Sequence, residues 1–139
     1  MSDHIKYRGG YKYQLAEPHI EKIALLPAEH IAHSDYIVLS VDGDLIINAG
    51  YAWDGCSGPT WDDKTNMRGG LVHDALYQLM REGLLPQDHR EMADNELYRL
   101  CREDGMNVVR AWTYLKGVRL FAASAAKLGT CPYPILEAP

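Results

Sequence analysis

The chain has 139 residues and a formal net charge of −5, and its composition is 47% hydrophobic and 24% charged. This length suits one domain, residues 1–139, with enough interior for a hydrophobic core. So high a hydrophobic share excludes a disordered chain, which would have fewer apolar residues and a larger net charge. Because proteins dedicated to nucleic acids usually have a basic balance, we expect no nucleic-acid partner.

The cysteines and the N-terminal sequence favour a soluble protein inside a cell. Cys56, Cys101 and Cys131 are odd in number and lack CxxC spacing, which is typical of reduced thiols. Residues 1–10 contain no apolar core or cleavage site, so no signal peptide is predicted. The most apolar stretch, 108–128, is interrupted by four basic side chains, so no transmembrane segment is predicted either.

The N-terminal part, residues 1–52, is predicted to be mainly β. Residues 11–15 alternate weakly and favour a strand. Two runs rich in β-branched residues, 36–41 and 45–48, flank an Asp-Gly pair, and Gly tolerates the positive φ that a tight turn requires. We therefore predict a hairpin over residues 36–51.

The C-terminal half is predicted to be helical over 67–129, after an ordered loop at 53–66 and before an extended tail at 130–139. Apolar spacing and glycine stops predict three helices, at 67–82, 87–104 and 108–128. In the third helix, one side is predicted to carry Val108, Ala111, Trp112, Leu115 and Ala122. The fold class is therefore α+β, with an N-terminal hairpin or small antiparallel sheet followed by three helices.

The segment from residue 105 to 136 has four basic side chains and no acidic one, so the rest of the chain sums to −9. One interpretation is that the third helix docks on an acidic body or shows a solvated basic face. The other is that residues 105–128 contact an anionic membrane surface or an acidic partner.

A His–Asp pair is the strongest candidate for chemistry. His73 and Tyr77 are four residues apart and share a helix face. A short connection makes the next helix an antiparallel neighbour, so Asp94 could face His73 and fix the imidazole tautomer for proton transfer. Tyr77 and Tyr98 could each donate a hydroxyl to this carboxylate, whose burial is costly without such partners. The same residues could instead form a structural polar network between two helices.

Three elements in this order resemble the secreted phospholipases A2, above all the short bacterial and fungal kind: D-G-C-S at 54–57, H-D-x-x-Y at 73–77, and Asp94. The resemblance covers about a third of the chain and implies a phospholipase A2-like helix pair. It implies that His73 is the general base that activates water, that Asp94 orients His73, and that Tyr77 supports Asp94.

The same resemblance implies a calcium site and an ester substrate. Asp74 would supply carboxylate oxygens to Ca²⁺, and carbonyls near Asp54, Gly55 and Ser57 would complete the oxygen shell that this cation takes. The bound Ca²⁺ would polarise the ester carbonyl of a phospholipid or a small ester. The whole sequence also resembles an uncharacterised family of short phage and prophage proteins, which implies a location in the host cytoplasm or the virion.

Three functions therefore remain open. The first is a metal-assisted hydrolase that uses His73 and Asp94. The second is a non-catalytic phage accessory or virion-associated protein that binds a host or virion protein, with a structural H-D motif. The third is a phosphohydrolase or zinc site using further ligands. The candidate ligands are His30 and His33 for the phosphohydrolase, and His89 with His73 and Asp94 for zinc.

Overall fold

The computed structural model describes residues 7–8, 13–25, 27, 29–33, 36–53 and 64–121. Within these residues the chain divides into two compact units, one containing the strands and the other the helices. Small antiparallel sheets followed by three helices confirm the predicted α+β class. The single-domain organisation of residues 1–139 stays a prediction.

The strand unit contains two antiparallel sheets, with strand orders β1-β2-β7 and β3-β6-β5-β4. The described strands are β1 (Tyr7–Arg8), β2 (Tyr13–Leu15), β3 (His19–Lys22), β4 (Ile31–His33), β5 (Ile37–Leu39), β6 (Asp44–Ile47) and β7 (Ala52–Trp53).

The predicted hairpin is confirmed by β5 and β6, which pair in antiparallel register with Leu39 opposite Leu45. In the turn, the backbone N–H of Gly43 donates to the Ser40 carbonyl at 3.0 Å, and the Ser40 N–H donates to the Asp44 carbonyl at 3.0 Å. Gly43 has a φ of +84°, a backbone conformation that residues other than glycine rarely adopt. The Asp-Gly signal therefore marks a three-residue turn with a glycine bulge.

One face of the larger sheet is buried, because burial alternates along its strands. Its apolar residues are fully buried: Ile37, Leu39, Leu45 and Ile47. Strand β3 adds His19 and Glu21 to the same face, and the imidazole Nε2 lies 3.0 Å from Glu21 Oε1. Polar residues at inward positions hide the apolar alternation of a strand, so the sequence did not predict β3.

The helical unit contains α1 (Met67–Arg81), a 3₁₀ turn (Gln87–His89), α2 (Arg90–Glu103) and α3 (Val108–Phe121). Helix α1 packs against α2, and α2 packs against α3. Arg68, near the start of α1, bonds Asp104, just after the end of α2, while His73 bonds Asp94 nearer the start of α2. These contacts make α1 and α2 antiparallel, as predicted.

The predicted glycine stops are confirmed at the ends of α1 and α2. Gly83 and Gly105 follow the two helices with φ values of +76° and +104°. The second helix differs from the prediction at its start, because a 3₁₀ turn follows Pro86 and the α-helix begins at Arg90. Tight 3₁₀ turns are common at helix starts, where the first amides have no partner in the helix.

The apolar side predicted for the third helix is not buried along its whole length. Val108 and Trp112 are 53% and 55% exposed, whereas Ala111, Tyr114 and Val118 are buried. The buried residues follow the i, i+3, i+7 spacing of one helix face. Trp112 lies on another face, where Lys116 Nζ is 4.9 Å from its ring centre.

Several predictions fall outside the described residues: most of the loop at 53–66, the end of the third helix after 121, and the tail at 130–139. In the part of the chain that is described, no helix combines the length and the apolar character needed to cross a bilayer.

Candidate active site

Helices α1 and α2 bring together the three residues predicted to act as a catalytic group. His73 and Tyr77 lie one turn apart on α1, with ring centres 4.2 Å apart. Asp94 lies on α2, opposite both residues. The helix spacing and the antiparallel packing together produce this cluster, which we call the His–Asp–Tyr cluster (His73, Tyr77 and Asp94).

A single carboxylate oxygen is the centre of the cluster. Nε2 of His73 lies 2.7 Å from Oδ1 of Asp94, and the Tyr77 hydroxyl donates to the same oxygen at 2.6 Å. An ionised carboxylate only accepts hydrogen bonds, so Nε2 is the nitrogen that donates. No described residue bonds Nδ1, so the neutral imidazole keeps a lone pair there.

Burial controls the chemistry of these groups. The exposed fractions of His73, Tyr77 and Asp94 are only 1–2%. Burial, reinforced by the hydrogen bond to Asp94, raises the pKa of the Tyr77 hydroxyl far above its ordinary value of 10.0. Tyr77 is therefore a neutral donor at every physiological pH.

Tyr98, the other predicted donor, is only half-buried, and its hydroxyl is not among the described partners of Asp94. Asp94 and Tyr98 lie on the same helix, whereas Tyr77 approaches the carboxylate from the facing helix.

A guanidinium group approaches the second oxygen of the carboxylate. Nε of Arg119, on α3, lies 4.0 Å from Oδ2 of Asp94. Another nitrogen of this guanidinium donates to Oδ1 of Asn95 at 2.9 Å. The sequence identifies Arg119 only as part of a basic segment, because nothing in the residue spacing connects α3 to the His73–Asp94 pair.

A surface cleft of about 520 Å³ adjoins the cluster, and we call it the arginine cleft. Its lining residues come from the 3₁₀ turn, the first turns of α2 and the last turns of α3: Gln87, Asp88, Arg90, Glu91, Asp94 and Arg119. Its volume is within the range of small-molecule sites. The buried carboxylate of Asp94 therefore has one side toward His73 and Tyr77 and another toward an open cleft.

The predicted calcium ligands are only partly within the described residues. Asp74 lies on α1, half-buried, directly after His73. Asp54, Gly55 and Ser57 lie outside the described residues. The described residues include no group of three or more His, Cys, Asp or Glu side chains that could hold a metal ion, the zinc set of His73, His89 and Asp94 included.

Comparison of the chain with protein-family models, with curated proteins and with solved structures found no significant match.

Proposed function

We propose that this protein is a small hydrolase in which His73 is the general base. The observation that carries the proposal is the 2.7 Å contact between His73 Nε2 and Asp94 Oδ1 in a buried site. A carboxylate in this position fixes the tautomer and leaves Nδ1 to accept a proton from water. The water oxygen then attacks an ester carbonyl, and the proton passes from Nδ1 to the leaving alkoxide.

Asp94 and Tyr77 act through His73 in this proposal. When Nδ1 takes the proton, the imidazolium is stabilised by the ionised carboxylate of Asp94. The Tyr77 hydroxyl keeps that carboxylate in place and retains its own proton, because burial raises its pKa far above 10.0. Asp94 and Tyr77 are thus positioning residues.

Calcium and a phospholipid or related ester substrate belong to the proposal through the resemblance to secreted phospholipases A2. Among the described residues, the half-buried carboxylate of Asp74 has the oxygen chemistry that Ca²⁺ takes. One carboxylate is not a site, and Asp54, Gly55 and Ser57 would have to supply the other oxygens. When bound, Ca²⁺ polarises the ester carbonyl; no role argued for His73, Asp94 or Tyr77 depends on it.

The decisive experiment is a hydrolysis assay with phosphatidylglycerol vesicles and with a soluble nitrophenyl ester, each with calcium and with chelator. We expect turnover by the wild type and a loss of about 10²–10⁴-fold in His73→Gln, the usual contribution of a general base. A matched control is His89→Gln, a half-buried histidine outside the cluster. Wild-type rates in His73→Gln would contradict the proposal.

Calcium titration calorimetry tests the metal separately. We expect binding in the micromolar to millimolar range in the wild type, because loop calcium sites commonly fall there, and its loss in Asp74→Ala. The absence of calcium binding in the wild type would remove calcium from the mechanism. The roles proposed for His73 and Asp94 would still be tested by the hydrolysis assay.

A second candidate is a non-catalytic phage accessory or virion-associated protein that binds a host or virion protein. The observation that favours it is the near-complete burial of His73, Tyr77 and Asp94, which suits a polar clamp between two helices. In that case His73→Gln would lower thermal stability while no ester is hydrolysed by the wild type. Stability and turnover measured on the same variants therefore separate the two functions.

A further inference from the structure

The two guanidinium groups of the arginine cleft have hydrogen-bonding capacity to spare. Arg119 makes one described hydrogen bond, to Asn95, while its nearest carboxylate oxygens are 4.0 Å away, on Asp94 and Glu91. Arg90 has no hydrogen bond or ion pair to any described residue. Each guanidinium has five N–H donors, so most donors of this pair are open to a ligand.

Two other arginines of the helical unit, Arg68 and Arg99, make close contacts with carboxylates. Arg68 makes a two-pronged contact with Asp104, at 3.0 and 3.1 Å, and a further bond to Glu103. Arg99 bonds Glu96 and Glu103. Among the described residues, no carboxylate makes a comparably close contact with Arg90 or Arg119.

The carboxylates of the arginine cleft make no contact shorter than 4.0 Å with its two cations. The Glu91 side chain is 79% exposed, and its contact with Arg119 is at the 4.0 Å limit. Asp88 is exposed as well, so water screens both rim charges. Asp94 is buried and its Oδ1 is already shared by His73 and Tyr77. An anion in the cleft would therefore meet two partly buried cations, two well-solvated rim carboxylates and the Oδ2 side of Asp94, whose charge His73 and Tyr77 already stabilise.

The electrostatic effect of both arginines extends to the buried cluster. The positive charges of Arg90 and Arg119 each act to lower the pKa of the Tyr77 hydroxyl, against the larger raising effects of burial and Asp94. Both arginines also line the cleft that the Asp94 carboxylate adjoins. The start of α2 adds a partial positive charge on the same side of the cleft.

We propose that the arginine cleft binds a phosphate group, held between the guanidinium groups of Arg90 and Arg119. Planar guanidinium donors match the oxygens of a phosphate, which can accept from both side chains at once. The proposal goes beyond the proposed hydrolysis, because binding here requires no chemistry at His73. If both hold, the phosphate of an anionic ester is held beside the carboxylate that orients the base.

The test is a titration of the full chain with inorganic phosphate, with calorimetry and NMR as the readouts. Chloride is added to keep the ionic strength constant. We expect saturable binding by the wild type and about tenfold weaker binding in Arg90→Gln and in Arg119→Gln, the loss typical of one charge-assisted hydrogen bond. The control is Arg102→Gln, which removes an exposed arginine of α2 outside the cleft.

A variant that is expected to bind phosphate more tightly excludes misfolding as the explanation for weaker binding. Glu91→Gln removes a competing carboxylate and should tighten phosphate binding several-fold. No saturable phosphate binding by the wild type would overturn the proposal, as would wild-type affinity in Arg90→Gln or unchanged affinity in Glu91→Gln. Because no turnover is measured, failure of this test leaves the hydrolysis assay unaffected, and failure of that assay leaves this one unaffected.

Two further probes distinguish the source of the phosphate. Glycerol 3-phosphate represents a soluble ester, and phosphatidylglycerol vesicles, compared with phosphatidylcholine vesicles, represent a lipid headgroup. If either probe binds the wild type and binds Arg90→Gln more weakly, the proposal is supported, and the probe that binds identifies the source of the phosphate. If both probes bind Arg90→Gln with the same affinity as the wild type, the proposal is overturned.

Discussion

Asp94 is the residue on which the candidate active site depends. Its carboxylate is 1% exposed, and an ionised carboxylate is expensive to bury unless several donors satisfy it. Oδ1 accepts from His73 and Tyr77, and Oδ2 faces the guanidinium of Arg119 at 4.0 Å. Two donors from α1 and a cation from α3 therefore support the charge of a carboxylate on α2, which explains why it is tolerated at this position.

Asp94→Asn should reduce both hydrolysis and stability. The amide cannot stabilise an imidazolium and no longer fixes the tautomer of His73, so we expect a rate loss of about 10²-fold or more. The free energy of unfolding should fall by about 1–3 kcal/mol, because the hydrogen-bond partners of a buried charge are left mismatched. Urea denaturation and the pH profile of turnover measure the two effects. An unchanged pH profile would contradict the positioning role.

Tyr77→Phe tests the hydroxyl without changing the packing of the ring. We expect a loss of about 1 kcal/mol in the free energy of unfolding, the net value of one hydrogen bond. The matched control is Tyr98→Phe, whose hydroxyl is not among the described partners of Asp94. Equal losses in the two variants, measured by urea denaturation, would refute a special role for Tyr77.

At the scale of elements, the close approach of α1 to α2 depends on Gly69. A Cβ at this position would lie 3.0 Å from Leu97 Cδ1, 3.1 Å from Cys101 Sγ and 3.2 Å from the Leu97 carbonyl oxygen. Two of these contacts involve atoms that cannot move without shifting α2 or its buried cysteine. The separation of the helices, and with it the His73–Asp94 contact, therefore depends on the absence of a side chain here.

Gly69→Ala should destabilise the protein by about 1–3 kcal/mol through overpacking. Alanine is the better helix former by about 1 kcal/mol, so a net loss identifies the steric clash and a net gain would disprove it. In a Leu97→Ala background the penalty should shrink, because one of the three contacts is relieved. Urea denaturation of the four proteins measures this coupling.

Helix α3 exposes Val109 and Trp112 beside Lys116, which keeps the predicted contact of residues 105–128 with an anionic surface open to test. Lys116→Gln should weaken binding to phosphatidylserine vesicles about fivefold, since a basic residue near such a surface contributes about 1 kcal/mol. The control is Lys64→Gln, another exposed lysine of the helical unit. Equal sedimentation of both variants with the vesicles would argue against contact through α3.

At the scale of the whole molecule, acid should weaken folding through the ion pairs that join α1 to α2. The hydrogen bond from buried Arg68, helped by Arg99, holds the pKa of Glu103 below its ordinary 4.5. A carboxyl with a lowered pKa stabilises the fold above its unfolded-state pKa and loses that contribution as the pH falls through the folded-state value. Stability should therefore decline as the pH drops below about 4.5.

Glu103→Gln isolates this contribution. The variant should be less stable than the wild type at pH 6 and should lose less stability on acidification, because its amide does not titrate in this range. The control is Glu82→Gln, a substitution just after the end of α1. Parallel curves of unfolding free energy against pH for wild type and Glu103→Gln would contradict the assignment.

The sequence determined the local features of this protein. Apolar spacing and glycine stops predicted α1 and α2, the Asp-Gly turn predicted the β5–β6 hairpin, and helix periodicity placed His73 and Tyr77 on one face. These features depend on residues a few positions apart, and their energies are set by backbone geometry and local burial. The α+β class follows from them, because strand patterns precede helix patterns along the chain.

Only the tertiary structure decided which residues meet across elements. The strand that carries His19 and Glu21, the outward side of α3 and the approach of Arg119 to Asp94 were not predictable from spacing. Each depends on the register and rotation of elements distant in sequence, which the sum of many packing contacts fixes and no single motif encodes. The His73–Asp94 pair was predictable because a short connection makes two helices antiparallel neighbours, whereas residue spacing does not fix where a third helix packs.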